Sequence, residues 1–289
     1  MTQAVVGIYP ASCILQECGG VIWRNKIMHK IGIIGGGNMG EAIIASCLKR
    51  FFIHVCEKDT ARQQALHQAY RLNFFDIKGL AQNSDIIIIA VKPQDIEGAL
   101  RELGEVLKDG TLVVSIAAGI TTGYIERVLG KKRRVVRTMP NMPALIGQGV
   151  TAVCQGNFAT LADVDSVCKV FNNLGSTIVV EEKFIDAVTA VSGSGPAYVF
   201  LFIEHLMKAA ETLGLPKEMA KELVEKTFLG SVNLLLKQKI DAGVLRAKVT
   251  SKGGTTQAAL KVFERKNLEK IFELALKAAK KRSKELSKA

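Results

Sequence analysis

The sequence is poor in the residues that most catalytic chemistries need. It has 4 histidines and 6 cysteines in 289 residues, with no C-x-x-C pair and no cysteine–histidine spacing that would hold a metal. No metal site is expected. No Ser-His-Asp or Cys-His arrangement stands out, and His205 falls in an apolar stretch where a core histidine is the simplest reading. Cys47 and Cys56 lie in predicted helix and strand, as core residues, and the scattered cysteines suit a reducing cytoplasm without disulfides. Aromatic residues make up only 6%, and none interleave with the basic runs as a single-strand nucleic-acid binder would require. Long apolar runs are missing too. Ile86-Ile-Ile-Ile-Ala-Val91 is too brief to span a bilayer, so no transmembrane helix is expected.

What is present is a basic, apolar-rich chain. The net charge of +12 comes largely from the last helix (Lys277, Lys280, Lys281, Arg282, Lys284, Lys288) and from Lys131-Lys-Arg-Arg134. Such runs read as solvated faces, and a small anionic ligand accounts for the balance as well as nucleic acid does. Neither a nucleic-acid nor a membrane partner is expected. Apolar residues reach 48%, enough for a substantial core in one large or two ordinary domains.

One stretch sets the plan. Ile31, Ile33 and Ile34 form a short apolar strand, and Gly35, Gly37 and Gly40 come next in the spacing G-x-G-x-x-G. Glu41-Ala-Ile-Ile-Ala-Ser-Cys-Leu48 then reads as helix. Strand, tight turn and helix in that order make a dinucleotide-binding βαβ unit. Gly35 permits the sharp turn, Gly37 lets a pyrophosphate approach the backbone, and Gly40 lets the helix pack close to the strand. Free N–H groups at the helix start face the anion.

Residues 1–27 do not fit the rest of the chain. They lack the basic head and continuous apolar stretch of a secretory signal, and Met28 looks like a natural start two residues before the first strand. They are expected to be a poorly ordered extension. Strands are predicted at 51–56, 85–91, 111–116, 134–139, 149–154 and 176–180, with a weaker one at 72–75 and helices at 61–69 and 161–172. Pro93 suits the first turn of a further helix. The alternation argues an α/β doubly wound (Rossmann) parallel sheet over 28–182.

From 183 to 289 no strand pattern remains. A helix at 196–213 is apolar almost all round and is expected to be buried. Met219, Leu223, Phe228, Val232 and Leu236 stripe the next helix, Asp241-Ala-Gly243 reads as a turn, and Leu268, Ile271, Phe272, Ala275 and Ala279 mark the last. So much apolar helix in a small all-α domain predicts a homodimer through these helices.

The acid expected about 20 residues past the glycines is Glu57, at the end of the second strand. A carboxylate there favours a free 2′-hydroxyl and hence NADH. Lys58 and Arg62 beside it suit a 2′-phosphate and hence NADPH. Both cofactors stay open. Three further stretches are too rich in glycine, serine, threonine or proline for packing alone. Val191-Ser-Gly-Ser-Gly-Pro-Ala197 and Thr250-Ser-Lys-Gly-Gly-Thr-Thr256 each precede a helix, and Arg137-Thr-Met-Pro-Asn-Met-Pro143 ends a strand. Helix starts of this kind hold anions. The inventory suits hydride transfer, where the cofactor carries the chemistry.

These residues resemble pyrroline-5-carboxylate reductase from Met28 to the C-terminus. The resemblance lies in Ile33-Ile-Gly-Gly-Gly-Asn-Met39, Ala90-Val-Lys-Pro93, Val114-Ser-Ile-Ala-Ala-Gly119, Met139-Pro-Asn-Met-Pro143, Ser192-Gly-Ser-Gly-Pro-Ala-Tyr198 and Ser251-Lys-Gly-Gly-Thr-Thr256. It implies reduction of 1-pyrroline-5-carboxylate to L-proline by NADPH or NADH, the last step of proline synthesis. It places the cofactor phosphates on Gly35, Gly37, Asn38 and Met39. Ala90, Val91, Lys92 and Pro93 line the nicotinamide side, with Ala117 and Ala118 nearby. The substrate carboxylate falls to Ser192, Gly193 and Ser194 and to the loop of Gly253, Gly254 and Thr255, while the hydroxyl of Thr256 bonds the ring nitrogen. The resemblance also implies a substrate pocket completed by a partner subunit. Lys252 stands where the family usually has proline, and Met142 where it usually has threonine.

Two other readings fit part of the pattern. A β-hydroxyacid dehydrogenase would carry Gly-x-x-x-Asn-x-x-Lys, but Lys237 lies four residues after Asn233 rather than three; a related imine reductase belongs with it. A cofactor-sensing regulator would have no use for Thr256 or for two glycine-rich loops.

Overall fold

The computed structural model of the chain describes residues 29–130 and 132–286. The expected extension at 1–27 lies outside them, as do Cys13 and Cys18. Contacts divide the chain into two units. The first runs to Gly193 and takes back the chain from Ala279, and the second is Ser194–Ala278. The break falls later than the 182/183 boundary suggested by the loss of strand pattern.

The first unit is built on a seven-stranded sheet: β1 (Lys30–Ile34), β2 (Phe52–Cys56), β3 (Ile86–Ile89), β4 (Leu112–Ser115), β5 (Arg134–Met139), β6 (Gly149–Gln155) and β7 (Gly175–Val179), in the order β2-β1-β3-β4-β5-β6-β7. The side-chain period of two sorts its residues between two cores. Ile31, Ile33, Ile86, Ile88 and Val114 face α1 (Asn38–Cys47), α2 (Thr60–Tyr70) and α6 (Leu161–Phe171). Ile34, Ile87, Ile89 and Val113 face α3 (Ile77–Asn83), α4 (Ile96–Val106) and α5 (Thr122–Leu129). β3 is four buried isoleucines in a row, as a strand covered on both faces requires.

Two corrections concern this unit. The sheet is not wholly parallel, since β6 runs antiparallel to β5. Only a 3₁₀ turn, Met142–Ile146, joins them, too short for a crossover helix, so the chain must return beside itself. The crossover through α6 then makes β7 parallel to β6. Residues 72–75 form no strand. Phe74 makes one isolated bridge to Val55, and Asp76 then caps α3 by accepting from the Gly79 N–H at 2.7 Å.

The second unit is helical: α8 (Gly195–Thr212), α9 (Lys217–Gln238), α10 (Ala242–Lys248), α11 (Thr255–Arg265) and most of α12 (Leu268–Leu286). A short α7 (Ile185–Val188) and a π turn, Thr189–Gly193, precede it in the first unit. Asp241 begins α10 rather than a free turn, its carboxylate accepting from the Gly243 N–H. Phe202 stacks on Phe272 at 5.5 Å between ring centres.

The expectation of a buried α8 fails in the single chain. Val199, Phe200, Leu201 and Leu206 are exposed, as are Leu229, Val232 and Leu236 of α9, and His205 is exposed rather than core. An apolar pattern records that a face avoids water; it does not say which molecule covers it. The helical run Glu182–Thr212 is long and apolar enough, with mean hydropathy 1.2, to cross a membrane by length and composition alone. Its 3₁₀ and π turns divide it into shorter pieces.

Candidate active site

The strand order reverses between β1 and β3, and in open α/β sheets ligands bind at the carboxyl edge of such a switch point. Gly35–Met39 follow β1, Glu57 and Lys58 follow β2, Ala90–Pro93 follow β3, and Ala117 and Ala118 follow β4. The parallel register therefore brings all the candidate cofactor residues to one edge of one unit.

The turn is held tightly on the protein side and open on the other. Gly35 sits at φ +102°, where a Cβ would also lie 2.7 Å from the Ala90 carbonyl oxygen. Its N–H donates to the Cys56 carbonyl at 2.8 Å. A Cβ on Gly40 would come closer than 3.0 Å to the Gly35 carbonyl oxygen, so α1 packs on the turn itself. Gly37 is different. A Cβ there would meet nothing within 4 Å, and Gly37 caps α1 with no side-chain hydrogen bond. Space and unsatisfied helix-start N–H groups thus coincide at Gly37, Asn38 and Met39, which is what a pyrophosphate needs.

Side chains that no local sequence pattern marks brace this turn. The Glu57 carboxylate accepts from the Gly36 N–H at 2.6 Å and from the Asp59 N–H at 2.9 Å. Arg62 donates through Nε to the Gly36 carbonyl at 2.6 Å and pairs with Glu41, which also accepts from the Tyr70 hydroxyl at 3.0 Å. Arg62 is thus held by Glu41 and by the Gly36 carbonyl. Lys58 is exposed.

The candidate substrate residues divide between the units. Ser192 and Gly193 end the π turn of the first unit, a distortion common at functional sites. The Ser192 hydroxyl donates to the Val188 carbonyl at 3.0 Å, and Gly193 lies against the Met139 methyl. Ser194 opens the second unit as the cap of α8. In that unit Gly253 takes φ +73°, and its N–H donates to the Gln257 side chain at 2.8 Å. Gly254 caps α11 without a side-chain hydrogen bond, which leaves Thr255 and Thr256 in the first helical turn. Lys252 is exposed beside them, and Met142 is exposed in the 3₁₀ turn after Asn141.

A second missed cluster lies behind the β4 and β5 ends. Arg137 is fully buried on β5, with Nη1 3.2 Å from Glu182. Glu182 also accepts from the Thr122 N–H at 2.8 Å and the Thr122 hydroxyl at 2.7 Å. The signal was available: an arginine inside the apolar strand Arg134-Val-Val-Arg-Thr-Met139 requires a buried partner. Glu182→Gln strands that charge. It is expected to cost about 2 kcal/mol, below the full value for a buried pair because Glu182 is partly exposed, and a urea midpoint measures it. The neighbouring Cys154 is no nucleophile. Burial pushes its thiol up to about 12, and burial pushes Cys47 up to about 11.

A family model described as pyrroline-5-carboxylate reductase dimerisation matches residues 182–286, and one described as NADP oxidoreductase, coenzyme F420-dependent, matches 30–119. The pyrroline-5-carboxylate reductase of Mycobacterium leprae is 37% identical over 285 residues, covering 90% of this chain and 97% of that protein. The Escherichia coli enzyme of the same name is 36% identical, with 90% and 99% covered. Among solved structures, a pyrroline-5-carboxylate reductase from Coxiella burnetii superposes with TM-score 0.84 at 38% identity, covering 91% of this chain and all of that one. A pyrroline carboxylate reductase from Plasmodium falciparum, solved with NADP bound, gives 0.80 at 31% identity, with 90% and 98% covered.

Proposed function

The chain belongs to the pyrroline-5-carboxylate reductase family, and we propose that its two glycine-rich regions divide the reaction between them. It is an oxidoreductase that reduces the C=N bond of 1-pyrroline-5-carboxylate to give L-proline in proline biosynthesis. NADPH is the cofactor that fits, and when bound it supplies the hydride. The observation that carries the cofactor half is the open space over Gly37 at an uncapped helix start.

The chain's own residues do the rest. N–H groups of Gly37, Asn38 and Met39 hold the pyrophosphate against the positive end of α1. Ala90, Val91, Pro93, Ala117 and Ala118 form the wall on the nicotinamide side, where small or apolar side chains let a flat ring lie close, and the exposed Lys92 adds a cation beside them. Ser192, Gly193 and Ser194 form one anion-holding loop, and Gly253, Gly254 and Thr255 form another at the start of α11, each suited to a substrate carboxylate. The uncapped start of α11 gives that carboxylate a favourable field. The Thr256 hydroxyl oxygen accepts from the protonated ring nitrogen and so favours the electrophilic form of the imine.

The exposed apolar faces of α8 and α9 are assigned to a second copy of the chain, in a cytoplasmic homodimer or a higher oligomer built from it. Replacing Val232 and Leu236, both exposed and one helical turn apart, by glutamate is expected to weaken the dimer about tenfold or more in Kd. Sedimentation velocity reads that change, and turnover falls with the dimer fraction. The assay for the function itself follows the loss of NADPH absorbance with pyrroline-5-carboxylate and, as control, the gain of NADPH absorbance from NADP+ with hydroxyisobutyrate. Turnover with the hydroxy acid alone would transfer the chain to the acid dehydrogenases.

A further inference from the structure

The segment from Glu182 to Gly193 ends in two of the residues assigned to a substrate carboxylate, and one strand fixes it at both ends. Arg137 and Met139 stand two apart on β5 and so share a face. Arg137 reaches Glu182 at 3.2 Å, and the Met139 methyl lies against Gly193. Between those ends the segment is tied by its own hydroxyls. Thr189 donates to the Ile185 carbonyl at 2.8 Å, and Ser192 to the Val188 carbonyl at 3.0 Å. A shift at Glu182 therefore passes along α7 and the π turn to Ser192.

The same carboxylate holds the cofactor side. Thr122 opens α5 directly after the β4 loop that carries Ala117 and Ala118, and it gives Glu182 both its N–H, at 2.8 Å, and its hydroxyl, at 2.7 Å. Among the described residues Glu182 is the only partner of the Arg137 guanidinium, which is 2% exposed. Parting them would leave a buried charge uncompensated, so the carboxylate stays where it is. A second tie joins the same two segments. The Ser283 hydroxyl, in the last turn of α12, donates to Asp186 at 2.7 Å, and Leu286 packs on Gly119, where an added Cβ would lie 2.7 Å from the leucine Cβ.

We propose that Glu182 is a positioning residue for hydride transfer: its carboxylate locks the loop of Ala117 and Ala118 to the segment ending in Ser192 and Gly193, so that the nicotinamide ring and the substrate keep a fixed separation. It acts through Thr122 and Arg137 rather than on a ligand. Reacting atoms must come within about 3–3.5 Å of each other, and a misplacement of about 1 Å costs about 10²-fold in rate. The role rests on the reductase reading, which puts the ring against the first segment and the substrate carboxylate on the second.

The test uses two variants of the full chain. Glu182→Gln keeps the shape and one acceptor oxygen but removes the charge. Thr122→Val removes one hydroxyl and leaves the ion pair, so it decides alone should the first variant not fold. Turnover is counted per NADPH site titrated by calorimetry, which takes any unfolded fraction out of the rate. Turnover per site is expected to fall about tenfold in Glu182→Gln and about threefold in Thr122→Val, with the Kd for NADPH within about twofold and Thr122→Ser restoring the parent rate. Hydrogen exchange of the unliganded chain is the second readout. Amides of 116–122 and of 185–193 are expected to exchange faster together in both variants, while those of 30–44 keep the parent rates. Parent turnover per site in every variant that folds overturns the proposal, as does a loss of turnover with exchange unchanged in the two segments. Absence of turnover by the unaltered chain is a distinct outcome, which overturns the reductase reading and the role with it.

Discussion

Thr256→Ala is expected to lower turnover about 10²-fold, the loss typical of one positioned hydrogen-bonding group at the reacting centre. The hydroxyl lies in the first turn of α11, behind a Gly254 cap that makes no side-chain bond. Removing it leaves the backbone N–H in place, and alanine is the better helix former, so α11 itself should not suffer. NADPH binding should stay within about twofold, because the glycine turn is untouched. A structural role and a chemical role then part company in the pH profile. If the hydroxyl oxygen accepts from the protonated ring nitrogen, it raises the basicity of the bound imine. Without it the bound imine loses its proton at lower pH, and the alkaline limb of kcat moves down. Thr256→Ser should restore most of the rate. An unchanged kcat and an unmoved limb would remove Thr256 from this role.

How much of this was legible depends on whether the determinant is local. The strand–glycine–helix start at β1, the turn and α1 is written in adjacent residues, and so are β3 and the helix starts at Gly195 and Thr255. Their positions could be read directly. The direction of β6 depended on how few residues separate it from β5, which a strand pattern alone does not weigh. The supposed strand at 72–75 yielded to a capping aspartate one residue later. The Arg62–Glu41–Tyr70 brace and the Arg137–Glu182–Thr122 cluster join residues far apart in sequence, and only the fold brings them together. The exposure of α8 is a different kind of failure. Phe200 and Leu201 obey the rule that apolar faces are covered, but a single chain does not contain the cover.

Gly40→Ala is expected to weaken NADPH binding about 10²-fold, because a displacement of about 1 Å at a positioning element costs that much. The new Cβ would lie inside 3.0 Å of the Gly35 carbonyl oxygen, which is backbone and has no flexible end to yield. Gly35 cannot retreat, since its left-handed φ and its bond to Cys56 fix it beside Ala90. The helix must move instead, and it carries the N–H groups of Asn38 and Met39 away from the anion. Such overpacking also costs stability, about 1–3 kcal/mol. Gly37→Ala separates the two effects. Its Cβ meets no protein atom within 4 Å, so the fold should hold, yet the methyl stands in the space assigned to the pyrophosphate. The expected pattern is therefore two variants with weak NADPH binding, of which only Gly40→Ala shifts the urea midpoint. If Gly37→Ala bound NADPH as the parent does, the start of α1 would not be where the phosphates rest, and the edge between β1 and β3 would need another occupant.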